Sequence, residues 1–177
     1  MLVIGLTGPT GSGKSSVCRI LADWEKIRVI DCDQLARRVV EKGKCCLLDL
    51  AVEFSSAIIN PDGTLNRRRL AALVFTDSAK LERLNEIVFP YILEEIREEL
   101  NKARREKASA AVLDAPTLFE SGADALCDTV VAVVSSPSLR QFRIMERDHL
   151  TPEEAQHRME SQQDEEFYTD RADHVLR

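Results

Sequence analysis

The chain has 177 residues and a formal net charge of −6, with 44% hydrophobic and 31% charged residues. These proportions are those of an ordinary globular protein, and the length predicts one domain. The net negative charge argues against broad nucleic-acid binding, which requires a basic face. Since no apolar stretch is long enough to span a bilayer and the N-terminus lacks the features of a secretory signal, we expect a cytoplasmic protein with no membrane partner.

The cysteines support the same compartment. Their number is odd and their spacing is not that of metal ligands: Cys18, Cys32, Cys45, Cys46 and Cys127. Reduced thiols in a cytoplasmic protein are therefore expected. A redox role for the adjacent Cys45 and Cys46 is the alternative.

Residues 8–15 form a glycine-rich loop that reads Gly-Pro-Thr-Gly-Ser-Gly-Lys-Ser. This is the phosphate-binding P-loop pattern, in which glycines let backbone N–H groups approach phosphate oxygens. The pattern predicts nucleotide-binding groups at Gly11, Ser12, Gly13, Lys14, Ser15 and Ser16. Within this set, the Lys14 ammonium would lie between the outer phosphates, and the Ser15 hydroxyl would bind Mg²⁺.

The segments that flank the loop support a nucleotide site. The apolar run Leu2–Leu6 predicts a buried strand before the loop, and Lys14–Trp24 predicts a helix after it. We expect this helix to bury one face, made by Val17, Ile20, Leu21 and Trp24. A strand, a glycine loop and a helix are the context in which the pattern binds phosphate, and a flexible Gly/Ser turn that binds nothing is the alternative.

A second apolar segment, Ile27–Ile30, predicts a short strand that leads to two carboxylates, Asp31 and Asp33. Beyond them, the pattern predicts helices over 34–41, 45–54, 66–75, 78–88 and 90–106, with a turn at 60–63. Pro90 is interpreted as the start of the last of these helices. Because no strand is predicted in this stretch, we interpret it as a helical insertion that forms one wall of a substrate cleft.

The rest of the chain alternates between strands and helices. Three strands are predicted: Ser109–Leu113 with Asp114 after it, Thr129–Val134 and Val175-Leu176. One helix is predicted from Pro137 to Asp148, and Thr151 with Glu154 forms a capping box that starts another. Short, continuously apolar strands separated by helices predict an α/β fold with a parallel sheet covered by helices on both faces.

Polar groups follow three of the predicted strands: the P-loop, the Asp31–Asp33 segment and Asp114. In a parallel sheet these groups belong to the same edge, where ligands bind in open α/β folds. One carboxylate can hold Mg²⁺ or its waters, and another can accept a proton from an attacking hydroxyl. The alternatives are a helix N-cap for Asp33, which is compatible with a catalytic role, and a strand-end turn residue for Asp114.

Arg140, Arg143 and Arg147 lie at helical spacing and share one face of the predicted helix. Such a face is suited to a lid that closes on a triphosphate, because an arginine delivered to a transferring phosphoryl group accelerates the reaction. A solvated helix face is the alternative.

Several segments taken together resemble the dephospho-coenzyme A kinase family. The P-loop alone indicates only a superfamily, whereas its combination with the following segments is specific to this family. The matching residues are Ile4–Gly8 with Gly11–Ser15, Val29–Asp33 with Ala36-Arg37, Asp62–Leu65 with Arg67, Leu113–Pro116 with Leu118–Gly122, Arg147-Asp148, Glu153–Ala155, Arg158, Gln162 and Arg171–Asp173.

The resemblance implies a P-loop kinase-like fold and a reaction. The sheet core would comprise about 1–33, 108–136 and 172–177, a helical acceptor-binding insertion about 34–107, and a helical lid about 137–165. The implied reaction is phosphorylation of the ribose 3′-hydroxyl of dephospho-CoA by ATP and Mg²⁺, the last step of coenzyme A synthesis. A monomer or weak oligomer is expected.

The resemblance also implies roles for individual residues. Asp33 would act at the attacking hydroxyl as general base or orienting acceptor, while Lys14 and the loop amides hold the β- and γ-phosphates. Arg140 or Arg143 would approach ATP from the lid, and Mg²⁺ would be held by Ser15, with Asp33 or Asp114 contributing through water. The residues expected to bind the acceptor are Asp33, Arg37, Asp114, Leu118 and Phe119.

The chain departs from the family pattern on the acceptor side. Phe89-Pro90 replaces a His-Pro pair, Leu93 stands where an arginine is expected, and Phe167-Tyr168 stands where a lysine is expected. Two alternative functions therefore stay open: another small-molecule or nucleoside kinase on the same scaffold, and a nucleotide-binding protein with weakened catalysis.

Overall fold

A five-stranded parallel sheet is the centre of the computed structural model, which describes residues 1–177. Its strands are β1 (Leu2–Thr7), β2 (Ile27–Asp31), β3 (Ala110–Asp114), β4 (Thr129–Val133) and β5 (His174–Leu176). They pair in the order β2-β3-β1-β4-β5, and every pair is parallel. The prediction of a parallel α/β sheet is therefore confirmed, and the carboxyl ends of all strands lie at one edge.

Eight helices accompany the sheet. They are α1 (Lys14–Ala22), α2 (Cys32–Arg38), α3 (Cys45–Phe54), α4 (Arg67–Val74), α5 (Ser78–Arg105), α6 (Pro137–Asp148), α7 (Pro152–Glu160) and α8 (Glu165–Thr169). The capping box at the start of α7 is confirmed, because the hydroxyl of Thr151 accepts from the Glu154 N–H and the Glu154 carboxylate accepts from the Thr151 N–H. None of the helices combines the length and the apolarity needed to cross a membrane.

The chain forms two compact units. The first, called here the sheet unit, consists of Met1–Asp31 and Asn101–Arg177, and the second, called the helical unit, consists of Cys32–Leu100. The helical unit contains no strand, and its one β-bridge joins Ile59 to Leu65.

The core of the sheet unit differs from the prediction on α1. Ile20 and Trp24 are each 60% exposed, so the prediction is wrong for these two residues, whereas Val17 and Leu21 pack against the core as expected. The face of α1 that packs on the sheet is made by Val17, Cys18 and Leu21. The helix ends at Ala22, so Trp24 lies beyond it, and the buried Cys18 belongs to the packed face.

The prediction that Pro90 starts a helix is also wrong. Pro90 lies inside α5, which runs for 28 residues where two helices were expected. A proline in a helix interior removes one backbone hydrogen bond and costs about 3 kcal/mol. The helix continues because its following turns bury Ile92, Ile96 and Leu100 on one face, and tertiary packing supplies most helical stability in proteins.

Candidate active site

The P-loop joins β1 to α1 and passes close to the end of β4. Gly8 has φ 132°, and a Cβ built there would lie 2.1 Å from the carbonyl oxygen of Val133. Only glycine fits a backbone of that conformation at that distance. Gly13 precedes the first residue of α1, so the loop delivers its backbone N–H groups to the positive end of a helix.

Lys14 is the first residue of α1 and is buried. Among its contacts, its Nζ donates to the carbonyl oxygens of Gly8 at 2.5 Å and Pro9 at 3.4 Å. The ammonium is therefore held at the loop by the loop's own carbonyl groups. Ser12 is also buried, and its Oγ has no hydrogen-bond partner.

Two arginines of α6 contact the loop from the C-terminal part of the chain. Arg140 is buried and donates through Nε to the carbonyl oxygen of Thr10 at 3.0 Å. Arg143 donates through one Nη to the carbonyl oxygens of Gly11 at 3.1 Å and Ser12 at 3.0 Å. The structure thus brings both predicted lid arginines to the P-loop.

The environment of Arg140 is unusual for a guanidinium. Burial lowers its pKa, and electrostatic interaction, first with Glu165 and then with Tyr168, acts in the opposite direction. Tyr168 is itself buried, and burial raises its pKa to about 12 with Glu120 as a further cause. A buried cation beside a glycine loop makes the site strongly attractive to an anion.

Arg147 shares the face of α6 in sequence but has a different partner. Its guanidinium donates to both carboxylate oxygens of Asp148 at 2.8 and 2.7 Å, and Arg158 of α7 donates to the same carboxylate at 2.6 Å. The hydrogen bond from Arg147 is the largest cause of the lowered pKa of Asp148. Arg147 is therefore engaged with Asp148, the residue to which Arg158 of α7 also binds.

Two carboxylates lie side by side at the ends of neighbouring strands. Asp31 of β2 is the register partner of Asp114 of β3, and Asp114 is also the register partner of Leu6 in β1. Beneath them, the Cys18 thiol is hydrogen-bonded to Asp114. Burial, followed by Asp114, raises the pKa of Cys18 to about 12, so the thiol is protonated at neutral pH and donates that bond.

Cys18 was not among the predicted site residues. Its signal in the sequence is its position four residues after Lys14, because residues at that spacing lie on the same face of a helix. Ile20 and Trp24 hid this signal, since their larger apolar surfaces indicated a face rotated by about 60° from the observed one.

Two of the predicted acceptor residues lie in the segment after β3 and have different surroundings. Leu118 has no exposed surface and packs at Gly5 of β1, where a Cβ would lie 2.7 Å from its Cδ2. Phe119 is half-buried and meets Phe167 of α8 edge to face, with ring centroids 6.0 Å apart. The guanidinium of Arg171 covers the Phe167 ring at 4.2 Å from its centroid.

The other predicted site residues belong to the helical unit. Asp33 and Arg37 lie on α2, and both are exposed. Asp33 is in the first turn of the helix, which begins at Cys32, so its interpretation as the N-cap is wrong. Phe89 and Leu93, two of the departures from the family pattern, are half-buried on α5.

Comparison with known proteins places the chain within one family. The family model described as dephospho-CoA kinase matches residues 2–177. A dephospho-CoA kinase from Corynebacterium glutamicum is 40% identical over 176 residues, which are 99% of this chain and 88% of that protein.

Solved structures have the same architecture. A crystal structure of a protein from Thermus thermophilus superposes with a TM-score of 0.83 at 36% identity, covering 99% of this chain and 87% of the other. A dephospho-CoA kinase from Campylobacter jejuni superposes with a TM-score of 0.70 at 26% identity, covering 98% and 86% of the two chains. These similarities extend over the P-loop, the sheet and the helical unit together.

Proposed function

The chain belongs to the dephospho-CoA kinase family, and from this we propose that it transfers the γ-phosphoryl group of ATP to the ribose 3′-hydroxyl of dephospho-CoA, the final step of coenzyme A synthesis. The observation that carries the proposal is the group of three cations around the P-loop, made by Lys14, Arg140 and Arg143. Phosphoryl transfer is catalysed mainly by positioning and by neutralising the charge on the phosphates. Three cations at one glycine loop provide both.

The loop has groups that fit a triphosphate. The buried Ser12 Oγ has no hydrogen-bond partner, and such a hydroxyl costs about 1–3 kcal/mol unless a ligand satisfies it. The hydrogen bond from Arg140 to Thr10 uses Nε, and the guanidinium carries further N–H donors on its two Nη groups. We propose that the loop amides from Gly11 to Ser16 bind the β- and γ-phosphates and that these arginines neutralise the transferring group.

The residues at this edge also suit Mg²⁺. Magnesium prefers oxygen ligands, and in phosphoryl-transfer enzymes it is bound through one or two carboxylates together with substrate phosphates. Ser15 offers a hydroxyl at the start of α1, and Asp114 offers a carboxylate at the end of β3. When bound, the ion would neutralise charge on the β- and γ-phosphates. We propose Ser15 as its ligand, with Asp114 or Asp33 contributing through water.

Asp33 is proposed as the residue that acts on the attacking hydroxyl. Its carboxylate can accept the proton of the 3′-hydroxyl, a role worth about 10²–10⁴ in rate. Its position in the first turn of α2, two residues after β2, is compatible with this role because first-turn carboxylates are stabilised by the helix dipole.

For the acceptor we propose contacts with Arg37, Asp114 and Phe119. Leu118 is left out of this proposal because it has no exposed surface and belongs to the core of the sheet unit. Five free cysteines support a reducing, cytoplasmic environment, and we propose a monomer or weak oligomer, to be checked by sedimentation at micromolar concentration.

The experiment is a coupled assay of ADP release with dephospho-CoA, followed by identification of the 3′-phosphorylated product. Adenosine and ordinary nucleotides serve as competing acceptors, and faster turnover with any of them would replace the proposed acceptor. Asp33→Asn should lower kcat by about 10²–10⁴ with little change in the affinity for ATP. The matched control is Asp23→Asn, an exposed carboxylate at the C-terminal end of α1, which should retain full activity.

A further inference from the structure

Thr10 lies within the P-loop, and both of its backbone polar groups are held by side chains from the C-terminal part of the sheet unit. Its N–H donates to Oε1 of Gln162 at 2.7 Å, and its carbonyl oxygen accepts from Nε of Arg140 at 3.0 Å. These bonds connect residues 152 and 130 positions apart in sequence. Because they act on the two peptide groups that flank one Cα, together they restrict both backbone dihedrals of Thr10.

The segment that carries Gln162 is held in place by hydrogen bonds and an ion pair. It follows α7, and its own N–H donates to the carbonyl oxygen of Met159 at 3.3 Å. The start of α7 is tied to α6 by the side chain of Gln141, which donates to the carbonyl oxygen of Pro152 at 3.0 Å. The ion pair between Arg158 and Asp148 joins the same two helices. These contacts hold the backbone at Gln162 in place, and its side-chain amide reaches the loop from there.

The side chain at this position is neutral, which matters beside a phosphate site. Gln162 accepts from Thr10, one residue before the loop amides that begin at Gly11 and that we propose to bind phosphate. A carboxylate could accept the same hydrogen bond but would place a negative charge close to the triphosphate. An amide holds the loop without that repulsion.

We propose that Gln162 is a positioning residue for the nucleotide, which acts by holding the Thr10 N–H and thereby sets the P-loop in the conformation that receives the triphosphate. This inference rests on the proposed nucleotide site. Arg140 holds the next peptide group and faces the same loop, so the two side chains form a clamp on Thr10. Gln162 itself makes no contact with the reacting atoms in this proposal.

The test measures ATP binding directly, by calorimetric titration of the full chain without acceptor. Gln162→Met keeps the size of the side chain and removes the acceptor, and it should weaken ATP binding by roughly 3- to 10-fold, the usual worth of one hydrogen bond. In steady state the KM for ATP should rise by the same factor, while the KM for dephospho-CoA stays within about twofold. Gln163→Met, at the exposed neighbouring position, is the matched control and should bind ATP as the unmodified protein does.

A second variant separates the hydrogen bond from the charge. Gln162→Glu keeps the acceptor but adds a negative charge. Repulsion should reduce its ATP affinity at low salt. At about 0.5 M salt the repulsion is screened, and the affinity should equal that of the unmodified protein at the same salt concentration. Gln162→Met should stay weak at both salt concentrations. Unchanged ATP binding by Gln162→Met, an equal loss in Gln163→Met, or a Gln162→Glu variant that stays weak at high salt would overturn the inference.

The same measurements keep the two proposals distinguishable. A protein that binds ATP but does not phosphorylate dephospho-CoA would contradict the proposed function, and the role of Gln162 would still be decided by the binding titrations.

Discussion

The sheet unit and the helical unit position their polar side chains in different ways. In the sheet unit, Lys14, Arg140 and Arg143 donate to backbone carbonyl groups of a single loop, and the two arginines do so from more than 100 residues away along the chain. In the helical unit, several charged side chains pair with one another on partly exposed helix surfaces. Examples are Arg38 with Glu95 at 2.5 Å and Arg83 with Glu53 at 3.1 Å.

This difference indicates which unit tolerates substitution. A backbone carbonyl cannot be replaced by mutation, so the geometry of the P-loop depends on a few donors that must all reach it. A pair of exposed side chains contributes little, and either partner can change at a cost of about 0–1 kcal/mol. Of the departures from the family pattern, Phe89 and Leu93 fall in the helical unit and Phe167-Tyr168 falls in α8 of the sheet unit, while the P-loop pattern is complete.

The largest difference between the two units is expected when a cation is removed from the loop. Lys14→Ala should lower kcat/KM by about 10³, because it removes a preorganised positive charge from the transferring phosphate. Lys102→Ala, an exposed lysine at the end of α5, is the control and should leave kcat/KM unchanged. A loss below tenfold in Lys14→Ala would show that the arginines carry the charge alone.

A pair of glycine substitutions compares the two units directly. Gly8→Ala should cost about 3 kcal/mol of unfolding free energy, because the new Cβ would clash with the Val133 carbonyl oxygen and the positive φ is strained. Gly43 in the helical unit also has a positive φ, +85°, but no atom lies within 4 Å of a Cβ built there, so in Gly43→Ala strain alone should cost about 1–2 kcal/mol. Denaturant titration measures both, and equal losses would contradict the steric argument.

The ion pairs of the helical unit should prove individually weak. Arg38 contacts Glu95 at 2.5 Å and Glu99 at 3.2 Å with 40% of its side chain exposed, so Arg38→Ala should cost about 1 kcal/mol. Arg97→Ala, which removes a more exposed pair with Glu94, should cost less than about 0.5 kcal/mol. Thermal unfolding checks both values, and a loss of unfolding free energy above about 3 kcal/mol in Arg38→Ala would contradict the expectation that these ion pairs are weak.

The smallest expected effect concerns acid stability at Asp148. Hydrogen bonding to Arg147 lowers its pKa below the ordinary 3.8, so its contribution is present above that pH and is lost as pH falls through the lower folded value. Asp148→Asn should therefore be less stable than the unmodified protein at pH 7 by less than about 0.5 kcal/mol, and the difference should shrink when the pH is lowered to about 3. Urea titrations at both pH values test the sign, and a difference that grows on acidification would refute it.

Local patterns in the sequence predicted most of the fold. The bounds of α3 and α6, the capping box of α7 and the positions of all five strands follow from hydrophobic periodicity and helix-start residues within short windows. Two of the errors have one cause. Pro90 and the face of α1 were judged from intrinsic preference, and burial contributed by distant segments outweighed it.

The sequence by itself determined the phosphate-binding loop, the α/β class and the family resemblance, because these depend on residues close together in the chain. Only the tertiary structure decided what holds that loop. The partners of Thr10, Gly11 and Ser12 come from α6 and from Gln162, and the thiol that meets Asp114 comes from α1. Such contacts between distant segments depend on how the strands and helices pack, and no short window of sequence records their distances.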